Sequence, residues 1–126
     1  MKLALCICPQ WSVQTPSFAI GSLKSHIKNK DVEVEQFDLN IRTSLYTKEK
    51  NIQKFWDWGN DTPWNSEANF KDEILPHFKD LWHEYIDKLA EYDVVAFTTY
   101  ISNIVTTDYI ARYLKQKNPK IQIWYG

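Results

Sequence analysis

Apolar residues along this chain keep two different rhythms. Four short blocks are apolar throughout or mix apolar and polar residues in near alternation: LALCIC at 3–8, VEVEQF at 32–37, VVAF at 94–97 and IQIWY at 121–125. The first runs without a polar break and is closed by Pro9, which predicts a strand buried on both faces, as in a parallel sheet. The second alternates apolar and acidic residues and leads into Asp38, Leu39 and Asn40, the pattern of a strand nearer a sheet edge. Between the blocks the period changes to that of a helix. Phe18, Ala19, Ile20, Leu23 and Ile27 recur at helical spacing behind Thr15-Pro16, an N-cap and a first-turn proline, with Lys28 and Lys30 near the far end. Phe78, Leu81, Trp82, Tyr85, Ile86 and Leu89 form a second stripe after Pro76, a core-facing helix. Ile104, Ile110, Ala111 and Leu114 point inward from a third helix over 104–117, which Asn118-Pro119 ends.

Residues 41–75 fit neither rhythm and read as a helical insertion after the second strand. Within it, the charged stretch TKEKNIQK gives way to FWDWGNDTPW, where Gly59, Asn60, Asp61 and Pro63 supply turn chemistry between short helices. Phe55, Trp56, Trp58 and Trp64 are read as packing over the core, with a lid over a ligand as their other role. Strands that alternate with helices require right-handed crossovers, and so a parallel, doubly wound sheet with helices on both faces. The pattern leaves the winding order open. It does locate function, because such sheets bind ligands at the carboxyl ends of their strands.

Composition narrows the classes. The 126 residues suit one domain, 1–126, and 15 Lys and Arg against 16 Asp and Glu give no field that would gather nucleic acid or anionic lipid. The longest apolar run is far shorter than the roughly 18–20 residues that span a bilayer. No secretory signal is read either, so the expectation is a cytoplasmic protein with no membrane and no nucleic-acid partner. Cys6 and Cys8 lie two apart in one strand, share a sheet face and read as buried free thiols. No Cys or Cys/His spacing of a zinc site or iron–sulfur cluster occurs. The histidines His26, His77 and His83 read as surface or packing residues.

Three segments meet at the predicted rim: CPQWSVQTP after the first strand, TTYISN after the third, and Tyr125-Gly126. The first loop has no glycine, which excludes a dinucleotide fingerprint and a P-loop. A phosphoacceptor site would need acidic residues where Pro9, Gln10 and Thr98 stand. What remains is an indole between prolines, opposite a hydroxyl-rich loop, suited to a large, flat, mostly uncharged ligand. Asn103 also occupies a helix N-cap position, Trp11 suits packing against the first helix equally well, and Asp38 and Asn40 suit a turn, with the ligand rim as their other role.

This set resembles the N-terminal cobalamin-binding domain of cobalamin-dependent radical SAM enzymes. The residues that carry the resemblance are CPQW at 8–11, Pro16, DLN at 38–40, DVVAFTTYISN at 93–103 and NPKIQIWYG at 118–126. It covers nearly all of the chain outside 41–75. It departs from the family at Cys8, where a double proline is usual, and at Ala96, where a glycine is usual. The resemblance implies a Rossmann-like, flavodoxin-like three-layer fold with strand order 2-1-3-4. It also implies that Pro9, Gln10, Trp11, Thr98, Thr99, Tyr100, Asn103 and Gly126 lie around a bound cobalamin. The DxHxxG motif of other cobalamin domains is absent, so no histidine on cobalt is implied. The family continues into Gly-Gly-Pro, a further strand and helix, and the radical SAM barrel. S-adenosylmethionine and a 4Fe-4S cluster are therefore expected only in that part, as a domain in cis, with methyltransferase-like chemistry.

No nucleophile, base and orienting group stand at catalytic spacing, so the chain by itself is not read as an enzyme. The rival reading is a degenerate module that binds a protein partner and no cofactor, for which the tryptophans of the insertion speak. An exposed sheet edge would also favour self-association.

Overall fold

The computed structural model describes residues 1–14, 17–27, 31–56 and 62–126. Four strands, β1 (Lys2–Ile7), β2 (Glu33–Asp38), β3 (Val94–Thr98) and β4 (Gln122–Tyr125), form one parallel sheet in the order β2-β1-β3-β4. Together with flanking helices this is the three-layer, Rossmann-like architecture that the alternation of the two rhythms predicts. β1 is paired on both sides, and five of its six residues are buried. That explains why its sequence is apolar without a break. β2 lies at one edge and keeps the alternation of a strand with one wet face, Glu33 and Glu35 being exposed.

The pleat sends alternate residues to opposite faces. On one face Leu3, Leu5, Ile7 and Val94 pack against helix α1 (Phe18–His26), chiefly through Ile20. On the other, Ala4, Cys6, Cys8, Val95 and Phe97 meet the insertion and the last helix. The insertion is helical as expected. It consists of α2 (Leu39–Glu49), a 3-10 turn (Gln53–Phe55), the short helices α3 (Thr62–Asn65) and α4 (Glu67–Asn69), and a π-helical turn (Phe70–Ile74) that runs into α5 (Leu75–Leu89). Helix α6 (Ile104–Lys117) completes the layer. The apolar stripe of α5 places Phe78, Leu81, Trp82, Ile86 and Leu89 in the core. Trp64 is 1% exposed and Trp82 0%, which settles the role of Trp64 as packing. Burying the indole of Trp82 would leave its N–H without water, and the side-chain oxygen of Thr43 accepts it at 3.0 Å.

Two expectations change. The stripe of α1 is not an inward face: Phe18 is 85% exposed and Leu23 50%, because the helix covers only part of its side of the sheet. Ile104 is 38% exposed, since it opens α6 before the helix has descended onto the core. Helix α1 begins at Phe18 behind Ser17; the Thr15-Pro16 cap, Lys28, Lys30 and Trp58 lie outside the described residues. Among the described residues no helix is long and apolar enough to cross a membrane.

Candidate functional site at the carboxyl ends of the strands

After β1 the chain buries Cys8, Pro9 and Gln10 in succession; the Pro9–Gln10 peptide is cis. This loop is tied to the one after β3. Gln10 donates its N–H to the Ser102 carbonyl at 3.4 Å, and the Ser102 hydroxyl donates to the Gln10 carbonyl at 2.7 Å. Asn103 is fully buried and holds both loops: its side-chain amide donates to the carbonyls of Cys8 at 3.3 Å and Thr98 at 3.1 Å, and its oxygen accepts from the Tyr100 N–H at 2.7 Å. It stands at the N-cap of α6, but its side chain caps nothing. The first turn is held instead by its own carbonyl, which accepts from the N–H and hydroxyl of Thr107. Asn103 thus shapes the rim and keeps no amide for the open side.

Trp11 is fixed twice. Asn40, at the start of α2, accepts the Trp11 N–H at 2.8 Å and donates to the Trp11 carbonyl at 3.0 Å and, at 3.4 Å, to that of Ser12. Its indole stacks on Tyr100, centroids 4.1 Å apart and planes 13° from parallel. Such a pair contributes about 0.5–1.5 kcal/mol beyond the area it buries. The two loops therefore end in one aromatic ledge. On its β4 side, Thr99 donates both its N–H (2.7 Å) and its hydroxyl (3.1 Å) to the Gly126 carbonyl. Gly126 prolongs the ladder by donating to the Phe97 carbonyl, and a Cβ there would meet nothing within 4 Å.

A cleft of about 210 Å³ opens between α1 and the β3–β4 half of the sheet, lined by Leu5, Ile20, Leu23, Ala96, Thr98, Trp124 and Gly126, among others. Leu5, Ala96 and Trp124 are register partners, so its floor is one row across three strands. A smaller hollow of about 120 Å³ lies between Ser12, Val13, Gln14 and Trp56, which places the insertion beside the first loop.

Gln10 is the chemical anomaly of the site. It is 0% exposed, yet among the described residues neither Oε1 nor Nε2 of its side-chain amide has a partner. A buried amide left without partners costs about 1–3 kcal/mol. The neighbouring ionisable groups stay neutral more readily than usual. Burial, then Cys8, pushes the Cys6 thiol well above its ordinary value, so no thiolate forms there. Burial also raises the Asp38 carboxyl, although the backbone N–H groups of Ile41 and Asn40 pull it back; Asp38 caps α2 through Ile41 at 2.8 Å.

All eight sequence-derived rim residues lie at this end of the sheet: Pro9, Gln10 and Trp11 on the first loop, Thr98, Thr99, Tyr100 and Asn103 on the second, and Gly126 after β4. Sequence reasoning favoured a turn role for Asn40 over the rim, and noticed Ser102 in the polar patch without assigning it a role; its partner is 92 residues away. The histidines stand apart from the rim residues. His26 meets the Ser22 carbonyl, His77 stacks on Phe55 at 3.8 Å, and His83 hydrogen-bonds the Tyr109 hydroxyl at 2.7 Å. Among the described residues no group of His, Cys, Asp and Glu comes together that could hold a metal ion. No protein-family model matches the chain, and neither does any curated protein or solved structure.

Proposed function

We propose that the chain is a cobalamin-binding module that works beside a radical SAM domain in cis, in an enzyme of methyltransferase type. The observation that carries this reading is the fusion of the β1 and β3 loops into one rim, where the Trp11–Tyr100 ledge adjoins a buried, unpartnered Gln10 amide. Cobalamin is a flat macrocycle fringed with carboxamide arms and carrying a benzimidazole tail. A stacked ledge suits the flat face, Gln10 and Thr98 suit the arms, and the 210 Å³ apolar cleft beyond Thr98 suits an aromatic heterocycle. When bound, the cofactor would supply a transferable methyl group at cobalt. The chain's own residues orient it: Asn103 and Ser102 fix the rim, Asn40 fixes Trp11, and Thr99 fixes the carboxyl end of β4. Because the three histidines are engaged elsewhere, the reading puts no imidazole on cobalt.

Titration with hydroxocobalamin tests it. The expected result is a shift in the corrin absorption bands and co-elution with the protein on gel filtration. Trp11→Ala should weaken binding by about threefold to tenfold, the worth of a lost aromatic contact. Unchanged spectra with no co-elution would reject the proposal.

A second reading, a module that binds a protein chain, is favoured by exposed apolar groups on the α1 side: Phe18 at 85%, Leu23 at 50% and Trp124 at 51%. A second copy pairing along the outer edge of β4 is its simplest form. Sedimentation velocity distinguishes the two, since this reading requires a concentration-dependent dimer that Trp124→Lys dissociates and hydroxocobalamin leaves unchanged.

A further inference from the structure

The insertion lines a third hollow, which shares no residue with the rim. A cavity of about 360 Å³ lies between the π-helical turn and α6, lined by Glu67, Phe70, Lys71, Leu75, Val105, Tyr109, Arg112, Tyr113 and Gln116. That volume falls within the range of small-molecule sites, roughly 300–1,000 Å³. Its inner wall is aromatic and rigid. Phe70 is 3% and Tyr109 7% exposed, their rings 6.0 Å apart, and Tyr113 packs 4.8 Å from Tyr109. A hydrogen bond between His83 Nε2 and the Tyr109 hydroxyl holds that ring.

The polar side of the lining has a sign. Lys71 and Arg112 bring two cations and Glu67 one carboxylate, a balance of +1. Neither cation belongs to an ion pair among the described residues; Arg112 only donates Nε to the Asp108 carbonyl, at 3.4 Å. The backbone adds its own irregularity, because Phe70 and Lys71 sit in a π-helical turn. Such turns are rare and are frequently found at functional sites.

We propose that this cavity binds a small aromatic monoanion, whose ring packs on Phe70, Tyr109 and Tyr113 while its carboxylate meets Lys71 and Arg112. The ring accounts for the aromatic wall, whose rings are tilted to one another. The single carboxylate accounts for the unbalanced charge, and a planar guanidinium prefers such a partner to a hydroxyl or amide.

Phenylacetate is the probe, followed by heteronuclear NMR and calorimetry on the whole chain. Amide shifts should concentrate in residues 70–75 and 105–116. Arg112→Met and Lys71→Met should each weaken binding by about tenfold, the worth of a hydrogen bond to a charged group. 2-Phenylethanol, which keeps the ring and lacks the charge, should bind correspondingly worse. Both substituted side chains are exposed, so melting temperatures should stay unchanged. Val105→Trp, which fills the hollow, should abolish the shifts without removing either cation. The proposal is overturned by the absence of shifts, by shifts confined to the loops at 9–14 and 98–103, by binding that survives both Met variants, or by phenethylamine binding more tightly than phenylacetate.

Discussion

The two faces of the sheet are built to different standards. Under the insertion and α6, the row Cys6–Phe97 is sealed by Trp64, Phe70, Phe78, Trp82, Ile110 and Leu114. Under α1, the neighbouring row Leu5–Ala96–Trp124 is covered at one end by Ile20 and ends in an indole that is 51% exposed. The strands themselves do not differ, since each contributes residues to both faces. The difference comes from what lies across from them: five helices, a 3-10 turn and a π-helical turn on one side, a single nine-residue helix on the other. Stability is therefore concentrated on the insertion face. Accessible apolar surface, and with it the capacity to accept a ligand or partner, is concentrated on the α1 face next to the rim.

The most severe way to break this comparison is Trp82→Ala. It empties the centre of the sealed face, strips Thr43 of its donor, and should cost about 3–5 kcal/mol in denaturant unfolding. The same measurement on Ile20→Ala, the one fully buried residue of α1, should give about 2 kcal/mol, the low end for such a truncation. Equal costs for the two would mean that the faces are equally important to stability. Asn40→Ala should cost about 1–2 kcal/mol by leaving the Trp11 peptide without partners, and should quench or shift the Trp11 environment more than the global fold. Leu23→Ala, one turn from Ile20 in α1, should change stability by no more than about 0.5 kcal/mol, because that side chain already meets water. The smallest effect concerns pH. The Asp38 carboxyl is raised in the folded chain, so the folded state holds its proton to a higher pH than the unfolded state does. Its contribution to stability accordingly falls as pH rises from the ordinary carboxylate range through the raised value. Asp38→Asn, which keeps the cap to Ile41, should remove that slope from the stability–pH profile.

The difference between the faces also decides what could be read from the letters. The strands and α5 were legible because burial on a well-sealed face imposes a strict apolar period. α1 shows the same period, yet its Phe18 and Leu23 face water, since nothing across from them completes a core. Sequence spacing records what a helix offers and not what meets it. The rim followed similar rules. Its location came from strand–helix alternation alone, and the aromatic and hydroxyl residues stood out by composition. The winding order came only with the family resemblance, and the roles of Asn40, Ser102 and Asn103 were hidden. Asn40 and Asn103 look like turn and cap residues, and their true partners lie 29 and 95 residues away along the chain. Only coordinates connect groups at that separation.

The central claim is that the ends of β1, β3 and β4 form one seat for a macrocycle. Hydrogen exchange measured with and without hydroxocobalamin addresses it directly. Protection is expected in 9–12, 98–103 and at Gly126, with α5 unchanged. Protection confined to the insertion and α6, or none anywhere, would contradict the account.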